Sequence, residues 1–176
     1  MARARVVLRL VEATDDLDPV VLLSSELTEW ARGRTLAGYG VDLEFESEQG
    51  LFRDLDRMRE PRARLYVAEI AGEPVGMGAL RPLSADEVEI KRMYVRPSAR
   101  GQGVGRAILQ RLVDDARALG YTAIRLDSAP FMHEAHALYR SFGFVPSSPH
   151  KGWEFESVPA LRDIPVVFMR IDLGAD

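Results

Sequence analysis

The chain contains a glycine-rich turn whose residue types and spacing suit anion binding. Gly101, Gly103 and Gly105 are flanked by Arg100 and Arg106, and a helical pattern follows at once. Residues without a Cβ let the backbone curl so that several N–H groups point to one place. At the start of a helix these groups lack intrahelical partners, and the helix dipole is positive there. A pyrophosphate fits such a turn, and arginines add charge-assisted contacts.

The spacing of the glycines argues against two common nucleotide motifs. The turn reads Gly101-Gln102-Gly103-Val104-Gly105, which lacks the third glycine spacing of Gly-x-Gly-x-x-Gly. It also lacks the Lys-Ser/Thr pair of a Walker A loop. The two absences argue against an NAD-binding site and an ATP-binding site, respectively. Taken alone, the turn is also compatible with a strand-to-helix connection that binds nothing, although anion binding is favoured.

Three blocks of the chain resemble the GNAT superfamily of N-acetyltransferases. The turn from Arg100 to Gly105 resembles its acyl-CoA loop, Arg/Gln-x-x-Gly-x-Gly/Ala. The segment from Glu89 to Val95 resembles its fourth strand, and the segment from Ala135 to Phe144 resembles its Ala-x-x-x-Tyr-x-x-x-Gly-Phe motif. The blocks occur in the family order, and the resemblance covers nearly the whole chain.

This resemblance implies a mixed α/β fold, the acyl-CoA N-acyltransferase fold. Its central twisted sheet is mostly antiparallel, splayed between strands four and five, and flanked by helices, with acetyl-CoA as co-substrate in the gap. A main-chain N–H of the fourth strand would polarise the thioester carbonyl, and Ser128 would hydrogen-bond the pantetheine arm or the substrate. The implied cofactor-binding residues are Met93, Tyr94, Val95, Arg100, Gly101, Gln102, Gly103, Val104, Gly105, Arg106, Ser128, Ala135 and Tyr139.

Glu89 is the candidate general base of such a transferase, since acyl transfer needs an amine with a free electron pair. Its position, six residues before Val95, matches the catalytic glutamate of the superfamily's histone acetyltransferases. A carboxylate there takes the amine proton directly or through water, more effectively if its pKa is raised. The alternative is a solvated strand glutamate paired with Lys91 on the same face, and Glu87 is the nearest substitute.

Tyr139 is the candidate general acid. It matches the tyrosine that in the superfamily lies near the CoA sulfur and protonates the leaving thiolate. A phenol titrates near pH 10 and so keeps its proton at neutral pH. The alternative is a core tyrosine on an amphipathic helix. Met132 stands near the position where many family members carry an asparagine that binds pantetheine, so the chain departs from the family pattern there.

Histidines occur in two places. His133 and His136 superficially resemble His-Glu-x-x-His, but the spacing is one residue short and no third ligand is apparent. We therefore predict no metal site and expect surface or cleft-rim histidines. His150, Lys151 and Trp153 fall where family members place a substrate-facing loop, and a simple exposed loop is the favoured interpretation.

The region assigned between the first and second helices covers the acceptor side in the superfamily. It carries four aromatic or basic side chains, Trp30, Arg32, Arg34 and Tyr39. Three carboxylates nearby would attract a cationic amine, or would form a solvated acidic helix face, which we favour. They are Glu44, Glu46 and Glu48.

Composition limits the class of protein. The chain has 176 residues and a net charge of −4, so we predict one domain, over residues 6–173, and no nucleic-acid partner. There is no cysteine, which excludes disulfides, thiolate metal sites and a cysteinyl acyl intermediate. No apolar run is long enough to span a bilayer. Acidic residues interrupt the apolar run near the start of the chain, which argues against a signal peptide, so a cytoplasmic location without a membrane partner is expected.

Hydrophobic periodicity predicts the elements that position these residues. Strands are predicted over 6–11, 65–70, 74–80, 88–95, 122–126 and 166–171, with a hairpin turn at residues 71–73. Helices are predicted from about residue 14 to 27 and over 46–57, 104–119 and 130–141. Gly33, Gly38 and Gly40 are expected to loosen the stretch after the first helix.

These features predict an acetyl-CoA-dependent N-acetyltransferase that acts on a primary amine by direct transfer in a ternary complex. Two alternatives stay open. One is a domain that binds acyl-CoA without turnover, as a sensor or assembly module. The other is an acetyltransferase of protein N-termini or lysines, so the acceptor is a small-molecule or peptide amine. Dimers are frequent in the superfamily, which makes a homodimer an expectation by analogy.

Overall fold

The computed structural model describes residues 5–42, 48–151, 153 and 164–174. Seven strands occur in these ranges: β1 (Val6–Leu10), β2 (Arg64–Ile70), β3 (Glu73–Pro82), β4 (Glu87–Val95), β5 (Ala123–Ser128), β6 (Val145–Pro146) and β7 (Val167–Asp172). Four α-helices accompany them: α1 (Asp18–Tyr39), α2 (Glu48–Arg57), α3 (Val104–Ala118) and α4 (His133–Ser141). None of the helices within these ranges is long and apolar enough to cross a bilayer.

The strands form one sheet that opens in the middle. Their order is β1-β2-β3-β4-β5-β7-β6, and every neighbouring pair is antiparallel except β4 and β5. The parallel β4–β5 ladder joins only Glu87–Glu89 to Ala123–Arg125. Beyond that point the strands separate, and we call this space the β4–β5 gap: Ile90–Val95 on one side and Leu126–Ser128 on the other. The mixed sheet, splayed between the fourth and fifth strands, is therefore confirmed.

Helices cover both faces of the sheet, because each face carries its own apolar cluster. One cluster lies between the sheet and helices α3 and α4 and includes Ile108, Leu112, Ile124 and Tyr139. The other lies between the sheet and helices α1 and α2 and includes Leu23, Leu55, Leu65 and Met77. Since side chains alternate along a strand, β4 contributes Val88 and Ile90 to the first cluster while Glu89 faces the second layer.

A β-bulge interrupts the pairing of β4 with β3. Met77 pairs with Tyr94 and Ala79 pairs with Lys91, so two residues of β4 lie opposite Gly78. One of them, Arg92, has a φ of 51°, a left-handed value that is uncommon outside glycine. Bulges of this kind bend a strand and re-aim its backbone groups, and they are frequent next to active sites.

The first helix is longer than the sequence pattern suggests. It runs unbroken through Gly33 and Gly38 and ends at Gly40, whose φ is 68°. The expectation that the glycines loosen this stretch is wrong, because each costs only about 1 kcal/mol in a helix and the buried face, which includes Val20 and Leu23, offsets that cost.

Other boundaries differ by a few residues. The fourth helix begins at His133 rather than at residue 130, and β6, with two residues, is too short to leave a periodic pattern. The start of the second helix at residue 46 falls outside the described residues. The hairpin turn is confirmed, because Ala71 and Gly72 both have positive φ, as a tight two-residue turn between antiparallel strands requires.

Two glycine substitutions test how closely α3 packs on the sheet. A Cβ at Gly78 would lie 2.6 Å from Ile108 Cγ2, so Gly78→Ala should destabilise the fold by about 1–3 kcal/mol. Gly33→Ala is the control, since a Cβ there has nothing within 4 Å, and it should stabilise by about 0.5–1 kcal/mol. Urea unfolding of both variants measures the change in the free energy of unfolding. Equal changes of the same sign would contradict the packing argument.

Candidate active site

The glycine turn, Arg100 to Arg106, leads into the first turn of α3. Gly101 and Gly103 have φ values of 73° and 88°, a region that favours glycine. Gly103 is the N-cap of α3, and no side chain caps the helix. The first N–H groups of the helix therefore point outward from an end of positive dipole. A Cβ added at either glycine would meet no atom within 4 Å, so the turn borders open space.

The polar side chains of the turn are held at its surface. Arg100 Nε donates to the Val95 carbonyl at 3.2 Å, and its guanidinium lies 5.8 Å from the Trp30 ring centre. Gln102 Nε2 donates to the Ser98 carbonyl at 3.0 Å, which ties the turn to the preceding 3-10 turn. Arg106, which is exposed, lies on the ring of Phe142 at 5.1 Å. Both arginines thus remain exposed beside the helix end.

The predicted cofactor residues come together around the β4–β5 gap. Met93, Tyr94 and Val95 belong to the edge of β4 that β5 leaves unpaired. Ser128 ends β5, and α4 contributes Ala135 and Tyr139. This arrangement places the glycine turn at the open end of the gap and Glu89, in the last β4–β5 pair, at its closed end.

The Ser128 hydroxyl is already engaged with α4. It lies 3.0 Å from His136 Nε2 and donates to Met132 Sδ at 3.4 Å, so Met132 packs against the position predicted to bind pantetheine. The expectation of a surface or cleft-rim histidine holds for His133, which is exposed, but is wrong for His136, which is 4% exposed. Burial is the main cause that lowers the pKa of His136.

Tyr139 is a buried phenol beside a carboxylate. Its side chain packs against Phe144, with 5.7 Å between the ring centres. Burial raises the pKa of Tyr139 well above its usual range, and the negative charge of Asp127 raises it further. The hydroxyl therefore keeps its proton at neutral pH.

Glu89 is fully buried, so the alternative of a solvated strand glutamate is wrong. Arg81 donates from Nε and Nη2 to Glu89 Oε1, and Glu89 Oε2 lies 3.1 Å from His150 Nε2. Lys91 is not in direct contact; it lies 3.8 Å from Asp127 across the gap.

The surroundings of Glu89 keep it ionised. Burial acts to raise its pKa, but the hydrogen bond from His150 and the positive charges of Lys91 and Arg81 together outweigh burial. The net result is a pKa of Glu89 below its ordinary value. The raised pKa that would make a lone glutamate a better base is not found.

Glu89 belongs to a larger buried arrangement that we call the charge network: Asp54, Arg81, Glu89, Lys91, Arg92 and Asp127. Asp54 of α2 bonds Arg81 at 3.0 Å and Arg92 of the bulge at 2.8 Å. Glu89, Asp127 and His150 offer possible ligand atoms within 4.8 Å of one another. However, among the described residues three cations of the network face its three carboxylates, which favours ion pairing over a metal ion there.

His150 is the site residue whose contribution the sequence analysis underrated. Its side chain is 5% exposed, and the ring packs edge-on against Phe168 at 6.1 Å. The favoured interpretation as a simple exposed loop is therefore wrong for His150, although Lys151 is exposed. His150 Nδ1 is buried and makes no hydrogen bond with the described residues. No local pattern signals a contact with a strand 61 positions away.

The remaining candidates have structural partners. Glu87 pairs with Arg125 at 2.8 Å and Arg170 at 2.6 Å, and the bond from Arg125 is the largest cause of its lowered pKa. Four side chains assigned between the helices lie on α1 itself: Trp30, Arg32, Arg34 and Tyr39. Glu44 and Glu46 fall outside the described residues, as does the side chain of Glu48.

The pH dependence of stability tests the ionised state of Glu89. Because its folded pKa is lowered, its ion pairs stabilise the fold above about pH 4.5 and are lost as the pH falls through the folded value. Glu89→Gln should cost about 3 kcal/mol at pH 7, and this difference should narrow towards pH 3. Urea unfolding across that range measures it, with the surface change Asp114→Asn as control. A difference that stays constant with pH would contradict the assignment.

Comparison with known proteins agrees with this geometry. Residues 25–144 match the model of the acetyltransferase (GNAT) family. The chain is 37% identical to the IAA acetyltransferase of Azospirillum brasilense over 106 residues, 60% of this chain and 69% of the relative. It is 27% identical to an uncharacterized N-acetyltransferase of Schizosaccharomyces pombe over 177 residues, 99% of each chain.

The same fold occurs in a solved structure of yncA from Salmonella typhimurium with its cofactor acetyl-CoA. The TM-score is 0.66 at 22% identity, over 98% of this chain and 96% of that chain. The family model, the related sequences and the shared fold point the same way: the chain belongs to the acetyltransferase (GNAT) family and is an N-acetyltransferase enzyme.

Proposed function

We propose that the protein transfers the acetyl group of acetyl-CoA directly to a primary amine while both substrates are bound. The observation that carries this proposal is the β4–β5 gap, with an uncapped helix terminus at its open end and an ionised carboxylate bonded to a histidine at its closed end. About 20 Å of β4 separates the two ends, which suits an extended ligand.

The glycine turn holds the CoA pyrophosphate. Its open backbone and the first N–H groups of α3 supply donors, and Arg100 and Arg106 supply positive charge beside them. The pantetheine arm then follows β4, where the unpaired edge from Ile90 to Val95 provides strand-like hydrogen bonds. The bulge at Arg92 turns the next N–H groups, near Met93, towards the thioester carbonyl, which is where an oxyanion develops.

Glu89 and His150 act together to remove the amine proton. An ionised Glu89 only accepts hydrogen bonds, so His150 Nε2 carries the hydrogen between them. The second nitrogen, Nδ1, then holds a lone pair and no partner among the described residues. Imidazole is the side chain that most often serves as general base. His150 Nδ1 takes the proton directly or through one water, and Glu89 stabilises the imidazolium that results.

The free amine attacks the thioester carbon, and the carbon–sulfur bond breaks when the tetrahedral intermediate collapses. The CoA thiolate leaves next to Tyr139, which has kept its proton because burial and Asp127 raise its pKa. Tyr139 donates a hydrogen bond to the thiolate and transfers the proton as CoA departs. The attacking nitrogen loses its second proton to solvent as it becomes an amide, and Tyr139 regains a proton from solvent. The proton on His150 also returns to solvent.

Single substitutions separate catalysis from cofactor binding. Glu89→Gln, His150→Gln and Tyr139→Phe should each lower kcat at least about a hundredfold. His150 and Tyr139 transfer protons in the proposed mechanism, and Glu89 stabilises the imidazolium of His150. The Kd for CoA should stay within about twofold, since none of these changes removes a pyrophosphate donor. Steady-state thiol release and CoA titration calorimetry measure the two quantities, and His133→Gln on the exposed face of α4 is the control. An unchanged kcat in the His150 variant would contradict its role as base.

A matched pair of glycines tests the pyrophosphate site. Gly103 and Gly120 lie at opposite ends of α3, and both have positive φ with open space where a Cβ would lie. Gly103→Ala and Gly120→Ala should therefore strain the backbone equally, but only the first should raise the Kd for CoA, by roughly tenfold. Calorimetric titration with CoA measures the effect. Equal affinities in the two variants would contradict this site.

A further inference from the structure

A second concave surface lies next to the charge network, outside the β4–β5 gap. Its volume is about 340 Å³, and α2, the end of β3 and the segment after β6 form its walls. The lining residues are Arg57, Glu60, Arg81, Pro82, Leu83 and Lys151. Three of these side chains are cationic and one is anionic, whereas the chain as a whole has a net charge of −4. The cavity is therefore positive on an acidic protein.

Two of the cations are available to a ligand. Within the part of the chain that the structure describes, neither the Arg57 guanidinium nor the Lys151 ammonium bonds to an acidic side chain, and both residues are exposed. Unpaired cations that converge on a concavity attract anions and bind carboxylate or phosphate oxygens through charge-assisted hydrogen bonds.

The third cation connects this cavity to Glu89, the carboxylate that supports the proposed base. Arg81 is 16% exposed, and its guanidinium bonds Glu89 and Asp54 while it also lines the cavity. Only the Arg81 guanidinium therefore separates an anion bound beside Arg57 and Lys151 from the Glu89 carboxylate. An acceptor whose negative group lies in the cavity would have to extend its amine past Arg81 to reach the closed end of the gap.

We propose that this cavity binds the anionic group of the acceptor, so that the acceptor is a small amine that carries a carboxylate or a phosphate. This inference rests on the proposed acetyl transfer to an amine and specifies the class of acceptor. A volume of about 340 Å³ lies at the small end of ligand pockets, which favours a small metabolite over the surface of a folded protein.

The shared guanidinium also couples acceptor binding to proton transfer. When a ligand anion shares Arg81, less of its positive charge acts on Glu89, and Glu89 becomes a stronger partner for the imidazolium of His150. An acceptor without the anionic group leaves the bonds of Arg81 to Glu89 and Asp54 undisturbed. The negative group should therefore improve kcat as well as KM.

Paired acceptors test this inference in a thiol-release assay with acetyl-CoA. Each amino acid is compared with its amide, and phosphoethanolamine is compared with ethanolamine, which separates carboxylate from phosphate recognition. At least one charged member should have a kcat/KM at least tenfold above that of its neutral partner.

The double variant Arg57→Gln/Lys151→Gln should reduce this ratio of kcat/KM values to within twofold. The control, Arg53→Gln, lies one turn earlier on α2 and outside the cavity, and it should preserve the ratio. Glu60→Gln, which removes the one negative charge of the cavity, should lower the KM of the charged amine.

The outcomes distinguish the two proposals. If acetyl is transferred but neutral or polycationic amines are preferred, the proposed function stands and the inference about the cavity is overturned. A charged-to-neutral ratio that survives the Arg57→Gln/Lys151→Gln change also overturns it, because the anion is then recognised elsewhere. If no amine of the panel is acetylated while CoA binds, the proposed function fails, and the inference fails with it.

Discussion

The arginine at position 81 holds a buried carboxylate and a half-buried one at once, and the arrangement of the site depends on that. Asp54 comes from α2 and Glu89 from β4, so one guanidinium joins a helix to the central strand. A carboxylate with no solvent exposure is costly unless it is paired and fully hydrogen-bonded. The pairing therefore requires α2 to lie against the end of β3, and the second oxygen of Glu89 remains for His150.

A further ion pair of the charge network lies where the sheet opens. After the last β4–β5 pair, Glu89 with Arg125, the next residues on the same face are Lys91 and Asp127, and their charged groups lie 3.8 Å apart. This side-chain ion pair therefore spans the two strands beyond the end of the backbone ladder. The backbone edge of β4 beyond this point has no strand partner, and a sheet edge without a partner is a template for an extended ligand.

The sequence could predict those features that depend on local residue order. The glycine turn, α3 and the hairpin at Ala71 and Gly72 each have a short-range signal, and each occurs as predicted. The order of the three family blocks was enough to predict the splayed sheet. The length of α1 was not predictable, because burial of one face outweighs the intrinsic cost of Gly33.

The electrostatics of the site depend on contacts between distant parts of the chain, and these leave no periodic trace. Glu89 was identified, but its bond to His150 spans 61 positions, and that of Arg81 to Asp54 spans 27. Lys91 is the nearest cation on the same face as Glu89 and suggested a solvated ion pair. The direct partners of Glu89 instead come from β3 and from the segment after β6. The burial of His136 was missed for the same reason, since Ser128 contacts it from another element.

The two candidate proton-transfer groups have pKa values that their surroundings move in opposite directions. Tyr139 and Glu89 are both buried, and burial alone would raise the pKa of each. Asp127 adds a negative charge near the phenol and so favours its neutral form, whereas cations near Glu89 favour its charged form. Lys91 lies between them, because it pairs with Asp127 and also acts on Glu89. An alternating series of charges across the closed end of the gap thus separates a group that keeps its proton from a group that stays ionised, which is the division of roles that acid–base catalysis requires.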